Sequence, residues 1–134
     1  MKKIKFAIIC AFIAFIAVSC IEPVTKPTFF NSALLIGKWR QPSALCQDGS
    51  QGYLYYRFDT GGSGATWDTA DDVSETEAQS FTWTLSGATL KVVYQGEMGQ
   101  LIPKSYTLKT LNSTTLSYTD NYGTRYTYMK YTGN

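Results

Sequence analysis

The side chains in this sequence that can do chemistry are one distinctively placed thiol, a run of carboxylates and many aromatic hydroxyls. Cys20 directly follows a long apolar segment, and all ten tyrosines lie after residue 52. The chain contains no histidine, so it lacks the side chain that most often acts as a general base near neutral pH. No Ser/Lys pair or paired-carboxylate motif stands out either. We therefore expect no catalytic residues, no cofactor and no enzyme activity.

The N-terminal segment has the features of an export signal. Three lysines precede an apolar run of about 13 residues, from 6 to 18, whereas a membrane-spanning helix needs roughly 20. The following Ala17-Val18-Ser19-Cys20 resembles a lipobox. That resemblance implies that residues 1–19 are a lipoprotein signal peptide, that the Cys20 thiol carries diacylglycerol, and that its new amino group is acylated, with palmitate a typical chain. The alternatives are an ordinary signal peptide with an incidental cysteine, or an uncleaved anchor.

The lipoprotein interpretation predicts a location and a redox state. It implies a bacterial cell envelope protein held in the membrane by its lipid anchor, and Ile21-Glu22-Pro23 lacks the aspartate that retains some lipoproteins at the inner membrane. The outer membrane is therefore favoured, while the leaflet stays open. Because Cys10 leaves with the signal and Cys20 is lipidated, only Cys46 remains. We expect no intrachain disulfide, so the domain must be held by its core.

Net charge argues against a nucleic-acid partner. Removal of Lys2, Lys3 and Lys5 leaves nine of the 12 basic residues against ten acidic residues, a net charge of −1. A near-neutral domain has no electrostatic footprint for nucleic acid or for a second membrane contact.

The remainder of the chain reads as a tether followed by one all-β domain. Residues 20–30, with two prolines, predict a lipidated, semi-extended tether, and residues 31–134 predict the folded domain. A short helical turn is expected at 33–35, after which hydrophobicity alternates with period two and turn residues recur about every ten positions. Eight strands are predicted, at residues 36–41, 52–59, 64–68, 80–85, 88–94, 101–111, 114–119 and 124–131. Short sequential hairpins favour an eight-stranded antiparallel up-and-down barrel, whose closure removes exposed edges.

Large aromatic residues dominate the face that alternation assigns to the interior. They are candidates for a ligand pocket whose walls combine apolar rings with hydroxyls: Tyr56, Trp67, Trp83, Tyr94, Tyr106, Tyr118, Tyr126 and Tyr128. An eight-stranded barrel has room either for side chains or for one small ligand. The same rings therefore predict either a completely filled interior or a ligand-sized pocket, and the sequence leaves both open.

Gly37-Lys38-Trp39, at the first strand and just after the helical turn, resembles the Gly-x-Trp signature that opens lipocalin barrels. The likeness extends from about residue 35 to 131 and is similar to the lipocalin-like domains of bacterial lipoproteins. It implies that Trp39 packs across the closed end of the barrel, next to Gly37. In that family an arginine beyond the last strand often covers the tryptophan, and Arg125 is the candidate here. The resemblance also implies the carriage of small or lipophilic molecules, although fold analogy alone does not establish function.

The acidic segment between the third and fourth predicted strands offers two further possibilities. Its carboxylates are hard oxygen ligands of the kind that calcium prefers: Asp68, Asp71, Asp72, Glu75 and Glu77. The spacing is not that of an EF-hand, so a solvated loop without metal is expected. Asp68-Thr69-Ala70 resembles a triplet used for O-glycosylation in some bacterial envelope proteins, which makes Thr69 a candidate site.

Two functions from different classes follow. The first is a lipid-anchored envelope protein, expected to be a monomer, that binds a small or lipophilic molecule at the open end of the barrel. The alternative is a filled barrel that acts as a non-catalytic accessory subunit of an envelope complex. For that alternative Tyr53, Tyr55 and Tyr131, which alternation places outside, are the contact candidates.

Overall fold

The computed structural model describes residues 29–133, which form one closed antiparallel barrel with its eight strands in sequence order. The strands are β1 (Gly37–Leu45), β2 (Gln51–Phe58), β3 (Ser63–Asp68), β4 (Gln79–Ser86), β5 (Thr89–Gln95), β6 (Leu101–Leu111), β7 (Thr115–Thr119) and β8 (Arg125–Tyr131). The predicted fold class is confirmed. β1 is longer than expected, because it continues through Pro42 with an irregular register. The signal peptide, Cys20 and almost all of the tether lie outside the described residues.

Three short 3-10 turns complete the described chain, and no helix in it is long and apolar enough to cross a membrane. The first turn, Ser32–Leu34, is capped by Asn31, whose side-chain oxygen accepts from the Ala33 N–H at 3.0 Å. Thr69–Asp71 and Glu75–Glu77 lie in the connection between β3 and β4. That connection was expected to be a solvated loop. It instead contains these two turns and packs against the outer surface of the barrel.

Strand register determines which side chains face the interior. Trp39 pairs with Tyr56, and Phe81 pairs with Tyr94, so each of these pairs shares the inner face. The largest fully buried side chains are Trp39, Tyr128, Phe58, Leu35, Leu90, Leu116 and Val92. Because the inner face carries apolar and aromatic groups along every strand, closing the sheet buries them together, which is the dominant favourable term in folding.

Trp39 closes one end of the barrel beside the first 3-10 turn. It is fully buried, and its indole N–H donates to the Leu35 carbonyl oxygen at 2.8 Å. The covering cation is Lys130, not Arg125, because Lys130 shares the inner face of β8 and its ammonium lies 4.5 Å from the centre of the Trp39 ring. Arg125 pairs with Thr119 on the opposite face, at the other end of the strand.

Gly37 is required by the same arrangement. Its φ is +125°, a conformation that side chains disfavour, and a Cβ there would meet the end of the Lys130 side chain. That side chain also donates to the Ile36 carbonyl oxygen. Burial lowers the pKa of the Lys130 ammonium. The glycine of the Gly-x-Trp motif therefore makes room for the cation that covers the tryptophan.

Trp67 does not face the interior, so that prediction is wrong. In β3 the inner positions belong to Gly64 and Thr66, so Trp67 points outward and pairs with Tyr55 of β2. The two rings stack, with centres 5.0 Å apart and planes 7° from parallel. Gly64 is small because the Phe81 ring lies where its Cβ would be. The alternation of β3 thus gives the interior its small residues and the outside its tryptophan.

The outward tyrosines are also less accessible than expected. They form with Trp67 an outer aromatic cluster, defined as Tyr53, Tyr55, Trp67 and Tyr131, on which Val73 and Ala78 of the β3–β4 connection pack. Only 9% of the Tyr55 surface is exposed. The connection folds back over the sheet because Glu75 binds Lys38 and Arg57, each at 2.9 Å.

Candidate functional site

Six of the eight predicted pocket residues come together across the barrel and form a tyrosine layer. Its members are Tyr56, Tyr94, Tyr106, Tyr118, Tyr126 and Tyr128. Ring centres are 4.5 Å apart between Tyr106 and Tyr118, and 5.6 Å apart between Tyr118 and Tyr128. A further pair, Tyr56 and Tyr128, meets edge to face at 5.4 Å. The contacts cross from β2 through β8 and β7 to β6, so the layer spans the barrel.

Hydroxyl groups within the layer bond mainly to one another. The Tyr56 and Tyr94 hydroxyls are 2.8 Å apart, and the Tyr118 hydroxyl donates to that of Tyr128 at 3.1 Å. Tyr126 instead donates to Asp120 Oδ2, in the β7–β8 turn, at 3.2 Å. Buried hydroxyls that pair in this way avoid the cost of an unsatisfied polar group. The layer is therefore a polar surface inside an otherwise aromatic barrel.

Burial raises the pKa of four phenols of the layer. It is the largest cause of the raised pKa of Tyr94, Tyr118 and Tyr128, and it raises the pKa of Tyr106 to about 12. Burial disfavours the charged phenolate more than the neutral phenol. At neutral pH the layer therefore presents neutral hydroxyls that donate and accept hydrogen bonds.

Beneath the tyrosine layer the interior is occupied by packed rings. The Phe58 ring contacts Phe81 at 5.4 Å and Trp83 at 5.7 Å between centres, both nearly edge to face. The indole N–H of Trp83 donates to the Ser63 carbonyl oxygen at 2.8 Å. Trp83 thus faces inward, as predicted, but it belongs to the packed half near the closed end. Of the predicted pocket residues, Trp83 does not reach the open end, and Trp67, from its position on the outer face, lines a groove of about 530 Å³ together with Leu54, Thr66 and Gln79.

An open depression of about 330 Å³ lies above the layer at the other end of the barrel. This mouth pocket is lined by Leu54, Tyr56, Thr66, Gln79, Tyr94, Ile102 and Lys104. A second groove, of about 470 Å³, shares Lys104 with it and extends past Tyr106 and Tyr126 to Asp120. Ligand pockets usually have volumes of roughly 300 Å³ or more. The sequence left open a filled interior and a ligand-sized pocket. The structure has packed rings in the interior of the barrel and a depression at its mouth.

Comparison with known proteins agrees with this geometry. The model of a family described as the lipocalin-like domain matches residues 35–118, more than half of the chain. The chain belongs to the lipocalin-like domain family. No curated protein and no solved structure matches the chain. The match covers the barrel from Leu35 beside the closed end to Tyr118 in the tyrosine layer.

Two lysines of this lipocalin-like barrel were missed by sequence reasoning. Lys104 shares a face with Ile102 and Tyr106 on β6, and Lys130 shares one with Tyr128 on β8. The period-two pattern contained both positions. They were missed because most lysines are exposed to solvent. A long side chain at the end of a barrel can nevertheless bury its stem and keep its ammonium near water.

The carboxylates of the acidic segment are not clustered in the structure. No group of three or more potential metal ligands occurs among residues 29–133. Asp68 instead accepts from the Ser43 hydroxyl at 2.7 Å and from the Ala70 N–H at 2.9 Å. Thr69 Oγ1 accepts from the Tyr53 N–H at 2.9 Å. O-glycosylation of Thr69 stays a prediction, and a glycan would have to be accommodated against β2.

Proposed function

We propose that this protein is a lipid-anchored bacterial envelope lipoprotein whose barrel binds a small amphipathic molecule in the mouth pocket. The observation that carries the proposal is a depression of about 330 Å³ whose base is the hydroxyl pair of Tyr56 and Tyr94. Apolar side chains on its wall, Leu54 and Ile102, suit the body of such a ligand. Hydroxyls at its base suit one polar end.

The packed interior limits the size and depth of the ligand. Because aromatic rings contact one another below the tyrosine layer, a long acyl chain has no channel toward the closed end. A compact molecule, held against the layer and partly exposed, fits better. We propose a binding protein rather than an enzyme, since lipocalin-like barrels are generally used for binding, and we propose that it is a monomer. We propose that no catalytic step takes place in the pocket.

Action through the outer surface, as an accessory subunit, has less support. The guanidinium of Arg40 lies 3.9 Å from the centre of the Tyr53 ring and 4.3 Å from that of Tyr131. Its Nη1 also donates to the Tyr55 hydroxyl at 3.1 Å. The aromatic groups that a partner would need are therefore already engaged within the chain.

The anchor is tested by Cys20→Ser in the producing cells. We expect palmitate labelling to disappear and the protein to leave the membrane fraction, because the acyl chains supply most of the membrane affinity. Cys46→Ser is the matched control and should retain both properties. Unchanged membrane retention of Cys20→Ser would refute the lipoprotein assignment.

Ligand binding is tested with phenylnaphthylamine, an uncharged probe that fluoresces in apolar surroundings. The full chain carrying Cys20→Ser is used, so that no acyl chain takes up the probe. We expect Ile102→Trp, which fills the mouth, to abolish the signal. Leu101→Trp, the neighbouring and 70% exposed position on the outer face, should leave it unchanged. Equal binding by the two variants would place the probe elsewhere and contradict the proposal.

A further inference from the structure

We propose that the mouth pocket selects a small anionic amphiphile, whose acidic group binds the Lys104 ammonium. This inference rests on the proposed function and adds the charge of the ligand. It is carried by the position of Lys104, which pairs with the buried Val92 and so shares the inner face of β6. Its ammonium lies 5.8 Å from the centre of the Tyr94 ring.

Lys104 has no carboxylate partner in the part of the chain that the structure describes. The ion pairs found there join Lys38 and Arg57 to Glu75, and Arg57 to Asp59, all on the outside of the barrel. The attraction between an ammonium and the face of an aromatic ring holds the Lys104 ammonium beside the pocket. It is therefore ready to bind an anion that enters the mouth.

Lys104 is also the donor of the mouth pocket that is left for a ligand. The Tyr56 and Tyr94 hydroxyls bond to each other at 2.8 Å, and Tyr94 also interacts with the Tyr106 hydroxyl. Thr66 Oγ1 donates to the Tyr55 carbonyl oxygen at 2.8 Å, and Gln79 Nε2 donates to the Gln95 carbonyl oxygen at 3.4 Å.

Asp120 is the acidic residue of the adjoining groove, and its carboxylate is already satisfied. It accepts from the Tyr122 and Thr124 N–H groups at 2.9 Å each, and from the Tyr126 hydroxyl at 3.2 Å. Three donors stabilise its charge and fix the β7–β8 turn. The described residues that line the mouth pocket include the Lys104 ammonium and no carboxylate, which favours an anionic ligand over a cationic one.

A pair of probes that differ only in charge tests the inference. Anilinonaphthalene sulfonate has the rings of phenylnaphthylamine with an added sulfonate, and both are titrated into the Cys20→Ser chain. We expect the sulfonate to bind about tenfold more tightly, since hydrogen bonds to charged groups have about that effect. Lys104→Met should remove the preference, because it weakens binding of the sulfonate far more than binding of the uncharged probe. Lys109→Met, an exposed position on the same strand, is the matched control and should keep the preference.

The outcomes separate this inference from the proposed function. Equal affinity for the two probes, or a preference that survives Lys104→Met, would overturn the anion selectivity while leaving a binding pocket in place. Loss of preference in Lys109→Met as well would assign it to overall charge and also overturn the inference. Failure of both probes to bind would instead contradict the proposed function itself.

Discussion

The two aromatic regions of this barrel, the tyrosine layer inside and the outer aromatic cluster, use similar side chains in different ways. Inside, tyrosine hydroxyls bond to one another and to a single turn carboxylate. Outside, the rings hold a guanidinium and are covered by a segment that ion pairs fasten to the sheet. The first region can offer its polar groups to a ligand, whereas the second is satisfied by its own chain.

An aromatic surface is therefore not by itself a binding surface. Tyr55 is buried under the β3–β4 connection although its strand position is outward. Tyr56, its neighbour in sequence, contributes both its ring and its hydroxyl to the mouth. Whether a ring is available to a ligand depends on the partners that it already has within the chain. Stability measurements on the two regions test this distinction.

The largest expected effect is at the tryptophans. Trp39→Ala should lower the free energy of unfolding by about 3–5 kcal/mol, because it opens a cavity and removes the bond to Leu35. Trp67→Ala should cost about 2 kcal/mol, since the overlying connection can collapse onto the space. Urea denaturation of both variants measures the difference. An equal or larger loss for Trp67→Ala would make the outer cluster the principal core.

Alkaline pH should weaken the inner region next. The pKa of Tyr106 is raised to about 12 in the folded state, above the ordinary value of 10.0. The stability tied to its proton is therefore complete below pH 10 and is lost as pH rises through 12. At pH 12, Tyr106→Phe should unfold with about 2 kcal/mol less loss than the parent. Parallel pH profiles of the two proteins would show that this phenol is not buried.

A smaller effect is expected from one inner hydroxyl. Tyr118→Phe removes the donor to Tyr128 and should cost about 1 kcal/mol, independent of salt. Tyr122→Phe is the control, because Tyr122 is 94% exposed and should change stability little. Thermal unfolding at low and high salt measures both. A strong salt dependence for Tyr118→Phe would instead show that charged groups interact with the Tyr118 hydroxyl.

The smallest effect should come from the ion pairs over the outer cluster. Glu75→Gln is expected to cost at most about 1 kcal/mol at neutral pH and less in high salt, since both pairs are partly exposed. Lys38, then Arg57, lower the pKa of the Glu75 carboxyl below 4.5. This contribution is present above pH 4.5 and disappears as pH falls through the folded pKa. A cost that persists in strong acid would assign the effect to packing.

Sequence reasoning predicted the barrel well because alternation is a local property. The expected bounds of β6, residues 101–111, agree with those observed, and the inward tyrosines of β7 and β8 follow from their period-two spacing. Because most connections are short polar turns, each strand pairs with the next one in sequence. The pairing of those strands could therefore be predicted from local sequence.

What failed depended on contacts between distant segments. Trp67 was predicted to face inward, yet its place is set by the packing of Phe81 against Gly64 and by the β3–β4 connection that folds over it. Lys104 and Lys130 lie on inner faces that the period-two pattern contains, but most lysines are exposed, so their residue type gave no reason to expect them there. The mouth pocket itself arises from ring packing below it, and no sequence period encodes that packing.

The central claim is that a small molecule binds above the tyrosine layer and not at the outer cluster. Amide NMR spectra of the Cys20→Ser chain, recorded during titration with anilinonaphthalene sulfonate, test it directly. We expect the perturbed amides to be those of Leu54, Ile102 and Lys104 at the mouth. Perturbations centred on Tyr53 and Trp67, with the mouth unchanged, would contradict it.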